Sequence, residues 1–95
     1  MTAPEVFSEL CFFMYWEFPM QAYPTIEEGL KYFFDNHSAS EISNLKVYLN
    51  YQLENMTLEQ IEAEWEKTPS DLYYFTLDKR KFYEVVLQFP HGGPQ

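Results

Sequence analysis

The sequence predicts an all-α fold: a compact bundle of about five short helices forming one domain over residues 1–95. Three observations predict it. Hydroxyl residues stand three positions before Glu or Gln at Thr25–Glu28, Ser38–Glu41 and Thr57–Gln60, the spacing of a reciprocal helix-start cap. Behind each cap, apolar residues recur at steps of three and four, the period of a helix with one buried face rather than the alternation of a strand. With 46% hydrophobic and 22% charged residues, the composition is that of an ordinary globular domain; there is no repeat and no low-complexity tract. A chain of this length buries roughly two-thirds of its unfolded surface, enough for one core.

The first helix is expected over about 4–17, with Val6, Leu10, Phe13 and Met14 on one face, Pro4 in its first turn and Pro19 as its stop. A Pro-bracketed loop from Pro19 to Pro24 leads to a helix over 26–37, carrying Ile26, Leu30, Phe33, Phe34 and His37. The next, over 39–54, has Ile42, Leu45, Leu49 and Leu53 at helical spacing. A short helix over 58–66 presents Leu58, Ile61 and Trp65, and a last one over 78–89 presents Phe82, Val85, Val86 and Phe89, with Thr76 or Asp78 as its cap. Between these two, Leu72-Tyr73-Tyr74-Phe75 reads as a helical turn capped by Ser70 in preference to a short extended segment. Order is expected over about 4–89, and the tail 90–95, with its Gly and Pro, should be mobile.

The charge is −9, from fifteen acids and six bases. Such a chain is repelled by nucleic-acid phosphates and by anionic membrane surfaces, so neither is an expected partner. The acid is concentrated: residues 1–66 hold twelve acids and two bases, whereas residues 67–95 hold three acids and four bases. One cysteine, Cys11, excludes an intrachain disulfide, and with only His37 and His91 beside it a structural zinc site is not expected. The opening residues lack the basic and apolar regions of a secretory signal, and the longest apolar run, Leu10 to Trp16, is far short of a membrane span. The expected location is the cytoplasm.

No motif for catalysis emerges. Cys11 falls inside an aromatic helix, where a thiol is buried and inert. His37 falls at a helix end, where a cation is favoured, and so reads as a cap. The only glycines are Gly29, Gly92 and Gly93, which cannot make a phosphate loop. The chain is expected to be no enzyme and to carry no cofactor or metal.

The densest charge lies in 58–66, where Glu59, Glu62 and Glu66 share one face beside the Leu58/Ile61/Trp65 stripe. A charge run of this kind serves solubility on any small aromatic-rich protein. It also suits an anionic recognition surface that steers and orients a basic partner. Asp35, Glu54 and the Asp71-Leu72-Tyr73-Tyr74 turn extend the candidate surface, since tyrosines combine contact area with a polar tip. Aromatics make up 20% of the chain, and Tyr15, Tyr32, Tyr48, Tyr51, Tyr73 and Tyr83 lie off the main stripes or at turns. Some of these are expected at the surface. The candidate partner-binding residues are therefore Asp35, Glu54, Glu59, Glu62, Glu66, Asp71, Tyr73 and Tyr74.

The order of features has a further reading. An aromatic first helix (Phe12-Phe13-Met14-Tyr15-Trp16-Glu17) leads to Tyr23-Pro24-Thr25, then to Ile26-Glu27-Glu28-Gly29-Leu30-Lys31-Tyr32-Phe33-Phe34, a Ser-x-x-Glu helix with spaced leucines, the acidic Leu58-Glu59-Gln60-Ile61 helix and a final aromatic helix. Over roughly residues 7–89 this resembles the small acidic helical immunity proteins of bacterial contact-dependent growth inhibition systems. Trp16-Glu17 stands near that family's Asp-Trp, Pro24-Thr25 stands for its Gly-Ser turn, and Phe82-Tyr83 for its usual Trp-Leu. The resemblance implies a monomer that binds one cognate toxin domain, commonly a basic nuclease, and neutralises it in the cytoplasm. Two other readings share the acidic surface: an acidic mimic of nucleic acid that inhibits a defence nuclease, and a small subunit of a larger assembly.

Overall fold

Helix caps fix where the chain turns. The computed structural model describes residues 2–14, 24–67 and 79–89. Five helices follow one another: α1 (Glu5–Phe12), α2 (Ile26–Asp35), α3 (Ala39–Asn55), α4 (Leu58–Glu66) and α5 (Lys79–Gln88). No strand occurs among the described residues, so the expected all-α bundle forms. The Cα radius of gyration is 12.6 Å, close to the roughly 12 Å of a compact chain of this length.

Two of the three expected caps close in both directions. Ser38 Oγ accepts from the Glu41 N–H at 3.1 Å, while the Glu41 carboxylate accepts from the Ser38 N–H at 2.8 Å. Thr57 and Gln60 repeat this at 3.2 and 2.9 Å. Thr25 differs. Its hydroxyl accepts from the Glu28 N–H at 3.1 Å, but the Glu28 side chain lines a shallow depression beside Lys31 instead of turning back. Pro4 occupies the cap position, one residue before α1 rather than inside its first turn. The second helix stops at Asp35, two residues earlier than the stripe suggests. Asn36 leaves the helical region and its Nδ2 donates to the Tyr32 carbonyl at 2.8 Å. His37 then donates from Nδ1 to the Phe33 carbonyl at 2.8 Å, capping α2 from outside the helix.

The apolar stripes meet in one core. Leu10, Leu30, Leu45, Leu49, Ile61, Phe82 and Val86 are wholly buried. Helix α3 packs on α1 and α5, and α4 packs on α5. Ring contacts bring in α2: Phe33 lies 5.4 Å from Phe13, and Phe34 meets Phe89 edge-on at 5.2 Å. The Lys46 ammonium donates to the Phe89 carbonyl just past α5 and sits 5.6 Å above the Phe34 ring. A cation there also complements the negative end of the helix. Desolvation at this site lowers the Lys46 pKa.

The tyrosines divide between surface and core, as expected of side chains off the main stripes. Tyr32 is exposed and Tyr51 half-buried, but Tyr48 and Tyr83 belong to the core. Tyr83 is admitted because its hydroxyl is satisfied on both sides: it accepts from Trp65 Nε1 at 2.9 Å and donates to Gln52 Oε1 at 2.6 Å. Burial pushes its phenol pKa far up, so the hydroxyl keeps its proton. Among the described residues no buried side-chain polar atom lacks a partner. Residues 15–17 of the first expected helix, the Thr76 or Asp78 cap, the turn at 70–76 and the tail 90–95 lie outside the described residues.

Two predictions follow from these contacts. Tyr83→Phe orphans the Trp65 N–H and Gln52 Oε1 together and should cost about 2–4 kcal/mol in denaturant unfolding. Adding Gln52→Leu should cost less than the sum of the two single changes, by about 1 kcal/mol or more, because the variants share one network. The Ser38 N–H holds the Glu41 carboxyl below the usual glutamate range. That stabilisation is present above the ordinary glutamate pKa and is lost as pH falls through the lowered folded value. Glu41→Gln keeps an acceptor for the cap but no titration, so its melting temperature should fall less than the parent's between neutral pH and about pH 3.

Candidate functional site

The outer face of α4 is set by what its inner face does. Ile61 and Trp65 are wholly buried. Trp65 is fixed by its bond to Tyr83, by an edge-on contact with Phe7 at 6.0 Å, and by the Lys79 ammonium 5.3 Å above its ring. With the Thr57 cap, these contacts set which side of the helix faces inward. Glu59, Glu62 and Glu66 are all exposed on one side. None of them forms an ion pair among the described residues.

The helix electrostatics are uneven. Glu59 lies in the first turn, where the positive end of the dipole favours it. Glu66 lies in the last turn, which holds no basic residue. Lys67 follows at once, but its ammonium is taken by Glu64 at 2.9 Å. Glu64 also faces the Tyr48 hydroxyl at 3.5 Å, and burial followed by this negative charge raises the Tyr48 pKa. Glu64 is thus committed to the core edge, while Glu59, Glu62 and Glu66 are exposed and form no ion pair among the described residues.

The other sequence-predicted site residues fall in several places. Glu54 is exposed near the end of α3. Asp35 is on α2, paired with Lys31 at 2.8 Å and lining the depression with Pro24, Glu28 and Tyr32. Asp71, Tyr73 and Tyr74 lie outside the described residues.

A second surface was not anticipated from the sequence. Between α1 and α2 runs an open groove of about 510 Å³ with Phe12, Phe13, Tyr32 and Phe33 among its walls and Glu5 and Glu9 on its rim. Across it, Glu9 Oε1 lies 3.0 Å from His37 Nε2. Because Nδ1 donates to a carbonyl, this contact is an imidazolium–carboxylate pair whenever the ring carries its second proton. One signal pointed to the groove. Glu5, Ser8, Glu9 and Phe12 fall at i, i+3, i+4 and i+7, one helical stripe on the side away from the buried Val6 and Leu10.

Other chemistry is sparse. Cys11 is buried in α1. Among the described residues no group of three His, Cys, Asp or Glu side chains is arranged to hold a metal ion, and no helix is long and apolar enough to cross a membrane. Comparison with family models, with curated proteins and with solved structures finds no match.

The carboxylates of α4 carry a testable cost. Glu66→Gln removes the like-charge contact with Glu62, four residues earlier, and an unfavourable dipole contact, so it should raise the melting temperature at low salt. The gain should correspond to a few tenths of a kcal/mol, roughly 0.3–0.8, and should shrink once salt screens the charges.

Proposed function

We propose that this chain is a non-enzymatic immunity protein that binds a basic toxin domain, a nuclease by preference, and covers its substrate-binding surface. The observation that carries the reading is the face of Glu59, Glu62 and Glu66: three exposed carboxylates without cation partners among the described residues, on a helix whose orientation is fixed from within. A nuclease concentrates positive charge where it holds phosphates. A rigid anionic face attracts that region over long range and fixes the register of docking. The lopsided charge of residues 1–66 supports the same reading, as does the resemblance in helix order. The partner would be met one to one, in the compartment where the toxin acts, the cytoplasm.

An acidic mimic of nucleic acid would rely on carboxylates at phosphate-like spacing with little apolar anchoring. Exposed Phe12 and Tyr32, gathered at one groove, favour a protein-binding surface instead.

The test is association with, and protection from, the basic toxin domain encoded beside this chain. Binding should be tight and should weaken as salt rises; no association at low salt sinks the proposal. Replacing Glu59, Glu62 and Glu66 together with Gln should slow association roughly tenfold at low salt and flatten its salt dependence. An unchanged on-rate would place the interface elsewhere.

A further inference from the structure

The groove between α1 and α2 differs from the rest of the surface in composition. Three large apolar side chains are exposed among the described residues, namely Phe12 (43%), Tyr32 (46%) and Val47 (54%). Two of them line this one groove. The Tyr32 ring lies nearly parallel to that of Phe13, 6.1 Å away at 17°, and Phe13 is buried. The exposed ring therefore rests on a fixed support. About 510 Å³ of space is within the range of sites that enclose a ligand group, and is more than a flat docking face provides.

Its charge selects the occupant. Glu5 and Glu9 stand on the rim, and Glu28 and Asp35 border the adjoining depression, which shares Tyr32. Lys31 is paired with Asp35, and His37 with Glu9 when protonated. Glu5 has no ion pair among the described residues. An anion is repelled here, and a purely apolar group leaves the carboxylates without a partner. An aromatic wall beside carboxylates suits a planar cation: a guanidinium stacks on ring faces, sheds water more readily than an ammonium, and meets carboxylates through paired N–H groups. Residues 15–23, 68–78 and 90–95 offer no side-chain cation, since they contain no Lys or Arg.

We infer that the α1–α2 groove is a receptor for an arginine side chain carried by a partner polypeptide, stacked against Phe12 and Tyr32 and paired with Glu5 and Glu9. The inference stands on this groove alone and holds whether or not the partner is a nuclease.

N-acetyl-arginine amide is the probe, with the lysine and citrulline amides as controls, followed by NMR. Saturable shifts are expected at Phe12, Tyr32 and the His37 ring. Lysine should bind roughly threefold more weakly, for want of stacking, and the uncharged citrulline roughly tenfold more weakly. Glu5→Gln and Tyr32→Ala each alter an exposed side chain, and each should weaken arginine binding roughly threefold while leaving the amide spectrum folded. Four results would overturn the inference: no saturable shift in the groove, an equal response to citrulline, shifts confined to α4, or both variants binding like the parent. Groove shifts that grow with protein concentration alone, without probe, would assign the site to a second copy and overturn it too.

Discussion

The hydroxyl of Tyr83 holds this fold together. It sits at zero exposure between the Trp65 indole N–H on α4 and the Gln52 amide on α3, and it belongs to α5. Three helices are thus joined at one atom in the driest part of the protein. In such a place a hydrogen bond is stronger than in water and an unmade one is expensive, so the three elements have one relative arrangement. The aromatic rings extend the constraint. Phe7 touches both Tyr48 and Trp65, which locks α1 to the same centre. Phe13 and Phe33 then place α2 against the continuation of α1.

The local grammar of the helices was open to reading. Ser38–Glu41 and Thr57–Gln60 satisfy backbone donors with side chains a fixed distance along the chain, so sequence spacing alone identifies them. The stripes of α3 and α5 were legible for the same reason: Leu45, Leu49, Phe82 and Val86 obey a period that belongs to one helix. Tyr83 and Gln52 were not. Each looks like a surface residue until the other is placed beside it, and thirty-one positions separate them. The end of α2 was blurred because His37 continues the apolar stripe while in fact folding back onto Phe33, its ring 4.2 Å away.

The candidate sites divide along the same line. Glu59, Glu62 and Glu66 were readable as one face because helix geometry fixes their relation and the buried Trp65 fixes their outward side. The groove between α1 and α2 was not, because its walls come from two helices whose packing is decided by Phe13, Phe33 and Tyr32 across a long gap in sequence. Charge patterning also conceals use. Glu64 stands among four acids within one short helix, yet it alone turns to Lys67 and Tyr48. Glu62 and Glu66, four residues apart, repel each other on their own helix, a cost that no ion pair among the described residues offsets.

The position of Trp65 separates what the protein must keep from what it can vary. Among the described residues, the contacts that hold α4 come from its inner side and from its cap, not from Glu59, Glu62 or Glu66. The outer face is therefore free to drift: a different set of side chains there would inherit the same placement without a new fold. Substitutions on that one face can accumulate while the interior stays constant.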